Sequence, residues 1–376
     1  MSVVNSYSFI LRRYICEILF LLFLSLEFYI RNSVSGNLFD TMRWDEAWYG
    51  SIVDHGYTYS GYIGDLNNVV FFPLYPILCK MLKIIVPGLT TTESLIFISC
   101  IFAYFTIRLF FIITEHYFNF RVAFLSLLMF LMSPYAFCLF IGFTESLFFS
   151  LVLAFFYYYG IKGKRTIPLI IVTLASLTRV YGVLLLLVYG AELFFKKNRV
   201  DLKKELSLMP IAFIGISAFC IYQYLTFNNP ILFFYAQVAW GHDSYNNLIT
   251  ILKIKNLFIN ATKFELHESK SVYSILFLAV IFATVGVYKY LPRIFFTYYI
   301  VFLLFFFFTL SPATWSMGRY LMCLFPFYIV SCIAITGSDQ DQFTSRDIIF
   351  IFLCILLFSI NVLFNETFFN GNAFIA

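Results

Sequence analysis

Long apolar runs constrain this chain more than any other feature. Of its 376 residues 61% are hydrophobic and only 12% charged, with 51 Phe and 27 Tyr, whereas a soluble domain carries about 25% charged residues. No water-facing surface or single aqueous core accommodates that load. Lipid must therefore be the solvent for much of the molecule, which makes it an all-α polytopic membrane protein. Runs of membrane length lie near 14–30, 95–114, 122–141, 146–161, 206–226, 273–288, 294–310, 320–336 and 348–364. The run 166–195 is too long for one ordinary crossing at about 1.5 Å per residue, and Arg179 interrupts it. Two short or re-entrant helices meeting at Arg179–Gly182 resolve this, giving about eleven segments in one domain over 1–376.

Charge placement orients the chain. The net charge of +5 is no sign of nucleic acid, because the basic residues sit in short loops beside apolar runs. Lys162, Lys164, Arg165, Lys196, Lys197, Lys203 and Lys204 flank the broken run, and the positive-inside rule puts both of these loops in the cytoplasm. With the amino terminus also inside, the 31–94 loop, Thr144–Glu145, the Arg179 apex, the 227–272 loop and 311–319 share the outer or lumenal face. Two acceptor sequons, at Asn260 and Asn365, fall on that face too. The first run carries Glu17 and Glu27 and no small-residue cleavage site follows it, so it is expected to be a retained span. The eight cysteines form no CxxC, and the four histidines show no ligand spacing. Neither a metal site, a disulfide framework nor a cofactor is expected.

The 31–94 loop holds the chain's densest polar cluster: Asp40, Arg43, Asp45, Glu46, Asp54, His55 and Asp65, with aromatics interleaved. Asp45 fits the N-cap of a short helix ending near His55, with Gly56 as its stop. The pattern from Pro73 to Ile85 predicts an amphipathic helix lying on the bilayer surface. Asp45 either caps its helix and nothing more, or acts as a general base whose anionic form the helix dipole favours. Asp40 and Glu46 compete for that role. Arg179 and Arg319 suit bidentate phosphate binding or snorkelling; the position of Arg179 inside an apolar run favours a cavity-facing role. Glu145 pairs with an arginine, binds substrate hydroxyls, or only begins a span with Thr144. Glu17, Glu27, Arg108 and Glu192, near span ends, read as structural. Trp44, Trp48, Tyr49, Tyr57 and Trp315 suit an interfacial belt or a sugar-stacking wall.

Arg43-Trp44-Asp45-Glu46-Ala47-Trp48-Tyr49, with Ile52, His55-Gly56-Tyr57 and Phe71-Phe72-Pro73-Leu74-Tyr75-Pro76, resembles the amino-terminal signature of the PIG-V mannosyltransferases. The similarity continues through Ser133-Pro134, Thr144-Glu145-Ser146-Leu147-Phe148, Leu177-Thr178-Arg179 with Gly182, and Ser316-Met317-Gly318-Arg319-Tyr320 followed by Pro326, in the family's order. The resemblance implies a GT-C multi-span helical bundle with its active site on the non-cytoplasmic side. It also implies inverting transfer of mannose from a dolichyl or polyprenyl phosphate to a lipid-linked acceptor. In eukaryotic members this is the second, α-1,6-linked mannose of the GPI precursor in the endoplasmic reticulum. The family's aspartate role carries over to Asp45, with Arg43, Trp44, Glu46, His55, Glu145, Arg179 and Arg319 as candidate substrate contacts. The chain is shorter than most eukaryotic members, and its wording at Phe71–Pro76 and Thr144–Phe148 is nearer the prokaryotic relatives. That leaves open the acceptor and the membrane, endoplasmic reticulum or cell membrane.

Two other classes fit the composition. A transporter or flippase should show internal symmetry and charges near span midpoints, and no repeat is visible here. A non-catalytic subunit would keep the same motifs as scaffold, and a small membrane partner subunit is compatible with either reading.

Overall fold

The computed structural model describes residues 2–37, 39, 42–195, 199–240, 259, 269–309, 317–338 and 342–370. Among them every regular element is a helix and none is a strand, as lipid requires of a backbone that must satisfy its own hydrogen bonds. In order these are α1 Ser2–Ser35, α2 Asp45–His55, α3 Leu74–Ile85, α4 Thr91–Tyr117, α5 Phe120–Leu131, α6 Glu145–Phe156 continued by a π-turn over Tyr157–Ile161, α7 Thr166–Thr178 and α8 Leu185–Phe194. They continue with α9 Arg199–Leu208, α10 Ile214–Phe227, α11 Leu232–Tyr235, α12 Ser269–Tyr290, α13 Arg293–Thr309, α14 Met317–Met322, α15 Pro326–Thr336 and α16 Ser345–Phe369. Thr91–Tyr117, Lys203–Phe227 and Ser345–Phe369 are long and apolar enough to cross a membrane by length and composition.

Proline decides where apolar runs break. The runs 122–141 and 320–336, expected as single spans, are each interrupted. α5 stops at Leu131 ahead of Ser133-Pro134 and a short 3-10 turn over Ala136–Leu139 follows, while Cys323–Phe325 separates α14 from α15 at Pro326. A proline lacks the N–H that a continuing helix needs and its ring clashes with the preceding turn. The expected break in 166–195 falls at Arg179, whose backbone is extended between α7 and a 3-10 turn over Val180–Leu184. That turn folds back on α7, and Gly182 allows the contact: a Cβ there would lie 2.3 Å from the carbonyl carbon of Ala175.

Aromatic side chains fill the bundle. Phe110 stacks on Phe130 at 5.4 Å, and Phe130 meets Phe149 and Tyr328 edge-on, which locks α4, α5, α6 and α15 together. α10, by contrast, exposes Ile214, Ile221, Tyr224 and Leu225, as a lipid-facing helix does. At the end where α5, α15 and α16 meet, buried Arg121 donates to Asp347 at 2.6 and 2.9 Å and to the Thr336 carbonyl at 2.8 Å. Asn365, expected as a glycan acceptor, is fully buried in α16 and donates to Glu27 of α1. It is an internal strut, not a modification site. Asn260 lies outside the described residues.

The first loop is a folded unit. α2 ends at His55 and Gly56, in the left-handed region at φ 80°, stops it with an N–H to the Ile52 carbonyl. Trp48 stacks on Phe71 and meets Trp240 edge-on, and Tyr57 donates to the Phe71 carbonyl at 2.8 Å. These rings therefore pack a second small core. Buried Gln223 ties α10 to it, donating to the Val69 carbonyl and accepting from the Phe233 N–H, both at 2.9 Å. α3 follows Pro73, buries Tyr75, Pro76 and Cys79, and exposes Ile77, Met81, Ile84 and Ile85, the strip expected of a helix lying in the bilayer interface. Lys83 donates to Asp54 at 2.9 Å and Thr91 at 2.6 Å, pinning α2, α3 and α4 together.

Candidate active site

Four charged side chains from four distant stretches meet at the first-loop end of the bundle. Asp45 comes from α2, Glu145 from the start of α6, Arg179 from the broken run and Arg319 from α14. Arg319 Nη1 lies 3.0 Å from Asp45 Oδ2 and 3.5 Å from Glu145 Oε1, and Arg179 Nη2 lies 2.7 Å from the same Glu145 oxygen. Arg319 and Glu145 are each 1% exposed, Arg179 10% and Asp45 20%. The cluster therefore has a buried floor and its most exposed edge at Asp45.

Local structure explains each position. Asp45 is not the N-cap expected for α2; it is the first helical residue. Trp44 occupies the cap with φ 52°, a left-handed conformation strained for a bulky side chain, and its side chain makes no capping hydrogen bond. The Asp45 carboxylate turns to Arg319 instead, still within the first turn where the helix dipole favours an anion. α14 reaches the site because Gly318 packs on Tyr135, where a Cβ would lie 2.1 Å from ring carbons. Arg179 is held by three separate contacts: Nε donates to Thr144 Oγ1 at 2.8 Å, Nη1 to Tyr181 Oη at 2.7 Å, and Nη2 pairs with Glu145. Both guanidiniums lie over aromatic faces, Arg179 above Tyr320 at 5.1 Å and Arg319 above Phe143 at 4.6 Å. Rings hold a cation in place without neutralising it.

The other candidates separate from this group. Glu46 is fully buried against Gly142 and in the field of Arg31, itself buried and donating to the Phe140 carbonyl at 2.9 Å. One step along α2 turns it about 100° from Asp45, so it anchors the helix and does not face the cluster. His55 is exposed at the other end of α2, about 15 Å along the axis. Arg43 and Trp44 flank the site half-buried; Arg43 Nη1 and Trp44 Nε1 are buried and have no hydrogen-bond partner among the described residues. Asp40 and Trp315 lie outside the described residues. Glu17 pairs with Arg108 and Glu192 with Arg293, both at 3.2 Å, away from the cluster.

Sequence reasoning did not single out Thr144, Tyr181 and Tyr320 as site groups, and read Tyr49 only as belt or wall. Thr144 is buried and accepts from Arg179 and from Tyr49 Oη, the latter at 3.5 Å. Each of the three lies within two residues of a charged site residue, and that adjacency was the available signal. Among the described residues no group of three His, Cys, Asp or Glu side chains could hold a metal ion. Two arginines and two carboxylates in one buried place can seat a phosphate, supply a proton acceptor and stabilise charge on a departing oxygen.

No protein-family model and no curated protein matches the chain. Solved structures do. An Archaeoglobus fulgidus oligosaccharyltransferase in complex with zinc and sulfate is similar over 92% of this chain with a TM-score of 0.53 and 14% identity. The same enzyme tethered to an acceptor peptide containing an NVT sequon is similar over 95% of it, with a TM-score of 0.53 and 13% identity. The chain spans about half the length of these proteins, 53% and 56%. What is shared is the fold, an all-α multi-span helical bundle.

Proposed function

We propose that this chain is an inverting glycosyltransferase that moves mannose from a dolichyl or polyprenyl phosphate to a hydroxyl of a lipid-linked acceptor. The observation that carries the reading is the bridge of Arg319 between Asp45 and Glu145, with Arg179 on the far side of Glu145. The general-base candidate and the phosphate-binding candidates thereby share one locus. The motif order that resembles the PIG-V mannosyltransferases supports mannose as the sugar. It supports, most concretely, the second mannose of a GPI precursor, with a different lipid-linked acceptor if the source is prokaryotic. The positive-inside pattern supports a site on the non-cytoplasmic face, lumenal in the endoplasmic reticulum or outside a cell membrane.

The step balances on the side chains present. Asp45 takes the proton of the acceptor hydroxyl, and that oxygen bonds to the anomeric carbon from the face opposite the phosphate. The bond from this carbon to the phosphate oxygen breaks and its electron pair leaves with the lipid phosphate. One negative charge thus disappears at Asp45 while one appears on the phosphate. Arg319 links these events, because protonation of Asp45 releases guanidinium charge toward the leaving group. Two arginines supply the positive charge, so the proposed step calls for no metal. Purified protein given dolichyl phosphate mannose and a lipid acceptor should transfer mannose, and Asp45→Asn should lower turnover by about 10²-fold or more. Near wild-type turnover in a folded Asp45→Asn protein would refute the base assignment.

A further inference from the structure

Glu145 is bonded unlike an ordinary buried carboxylate. Its side chain is 1% exposed, and Oε1 lies between Arg179 Nη2 at 2.7 Å and Arg319 Nη1 at 3.5 Å. Both oxygens are buried, Oε1 is held by these ion pairs, and Oε2 has no hydrogen-bond donor among the described residues. Most buried polar oxygens are satisfied, so this carboxylate is only half accommodated where it stands. One anionic oxygen held between two guanidinium groups has the geometry of a phosphate oxygen in an arginine clip. Among the described residues the four grouped side chains set two arginines against two carboxylates, with Arg43 flanking them. A lipid phosphate entering it adds a buried anion, and uncompensated buried charge is strongly disfavoured. Withdrawal of one carboxylate offsets that charge. Asp45 is committed to the acceptor hydroxyl in the proposed step, which leaves Glu145.

We propose that Glu145 is the resident anion of the phosphate seat. It holds the two-arginine seat of the lipid phosphate, yields it when the donor enters, and reclaims it to expel the lipid phosphate product. The inference rests on the glycosyltransferase reading of the site. The need for such a competitor follows from charge. The donor phosphodiester carries one negative charge, whereas the product monoester carries up to two at neutral pH. Two arginines with no rival would hold product more tightly than donor and stall the cycle.

The test is direct binding of farnesyl phosphate to the full chain in nanodiscs of zwitterionic lipid, with inorganic phosphate as a second probe. Glu145→Gln should bind farnesyl phosphate about tenfold more tightly than wild type. In transfer assays its KM for donor and its kcat should fall together, with stronger inhibition by lipid phosphate. Equal or weaker binding by a folded Glu145→Gln protein overturns the proposal and leaves Glu145 as a group that only positions the arginines. Should that variant not fold, Glu145→Asp keeps the charge but withdraws it from the seat, and unchanged or weaker binding there overturns the proposal equally. Tightened binding without any sugar transfer removes the glycosyltransferase reading and keeps the resident anion. Sugar transfer without tightened binding does the reverse.

Discussion

Arg319 bridges two carboxylates, so its energetic coupling to Asp45 is measurable apart from any chemistry. Consider Asp45→Asn, Arg319→Gln and the double variant. At the observed 3.0 Å, unit charges attract by about 5.5 kcal/mol at an effective dielectric near 20. Burial of the guanidinium opposes that gain, and Asp45 at 20% exposure is partly screened by water. A net coupling of about 2 kcal/mol is expected, in line with close charge pairs at partly buried sites. Arg319→Gln alone should cost about 3–5 kcal/mol, because it leaves Asp45 without its arginine and Glu145 with only one of two. Asp45→Asn alone should cost about 1–2 kcal/mol, since an amide oxygen can still accept from Nη1 and Glu145 still neutralises Arg319. The double variant should therefore be about 2 kcal/mol less destabilised than the sum of the singles. Unfolding in bicelles by titrated SDS, followed by tryptophan fluorescence, reads all four proteins. Additivity to within about 0.5 kcal/mol would refute the argument, since two groups that do not sense each other cannot pass charge from base to leaving group.

Three further outcomes follow from the same geometry. Gly318→Ala drives a methyl into the Tyr135 ring at 2.1 Å, which should cost about 1–3 kcal/mol of stability and displace Arg319; an unchanged melting temperature with full transfer activity would contradict the packing argument. His55→Ala, at the exposed far end of α2, should leave kcat/KM within about twofold, and a loss of tenfold would return His55 to the site. Burial raises the Asp54 carboxyl, but hydrogen bonds from Thr91 and Lys83 and the Lys83 charge outweigh it and hold the group below its ordinary 3.8. A depressed value means that its contribution is present above 3.8 and lost as pH falls through the folded value. Wild type should therefore lose stability relative to Asp54→Asn below about pH 4, and parallel pH profiles would remove the Asp54 anchor.

The sequence was most legible where lipid dictates the answer. Apolar run length located the helices, and Arg179 inside a long run marked a break that Gly182 turns into a folded-back pair. Pro134 and Pro326 were visible as letters, yet the runs around them stayed hydrophobic, and hydrophobicity alone cannot report a missing N–H. At the site, Asp45 was legible within the dense polar cluster of the first loop, and Glu145, Arg179 and Arg319 as solitary charges in or beside apolar runs, where a charge is costly. Their partners were not, because Thr144, Tyr181 and Tyr320 are ordinary residues until the chain folds back on itself. Asp45 and Glu46 differ by a single position, and only the rotation of α2 sends one to Arg319 and the other to Arg31. The Asp45 cap was misjudged for a related reason: aspartate is a favoured cap, but the backbone reverses one residue earlier, at Trp44.

Stability does not account for the four-charge cluster. Replacing a buried ion network by apolar residues of similar volume is often neutral or stabilising by about 1–4 kcal/mol, and the bundle around this one is already filled by stacked phenylalanines. The polar staple joining Arg121 to Asp347 serves structure, since it satisfies helix-end carbonyls and a capping threonine as well as its own charges. The Asp45–Arg319–Glu145–Arg179 chain is different: among the described residues it leaves a buried carboxylate oxygen without a donor, and Asp45 stays partly exposed. On the proposed function, this arrangement receives a ligand at its exposed edge. The arrival that would complete it carries an anion for the arginines and hydroxyl groups for the carboxylates, as a phosphate-linked sugar and its acceptor do.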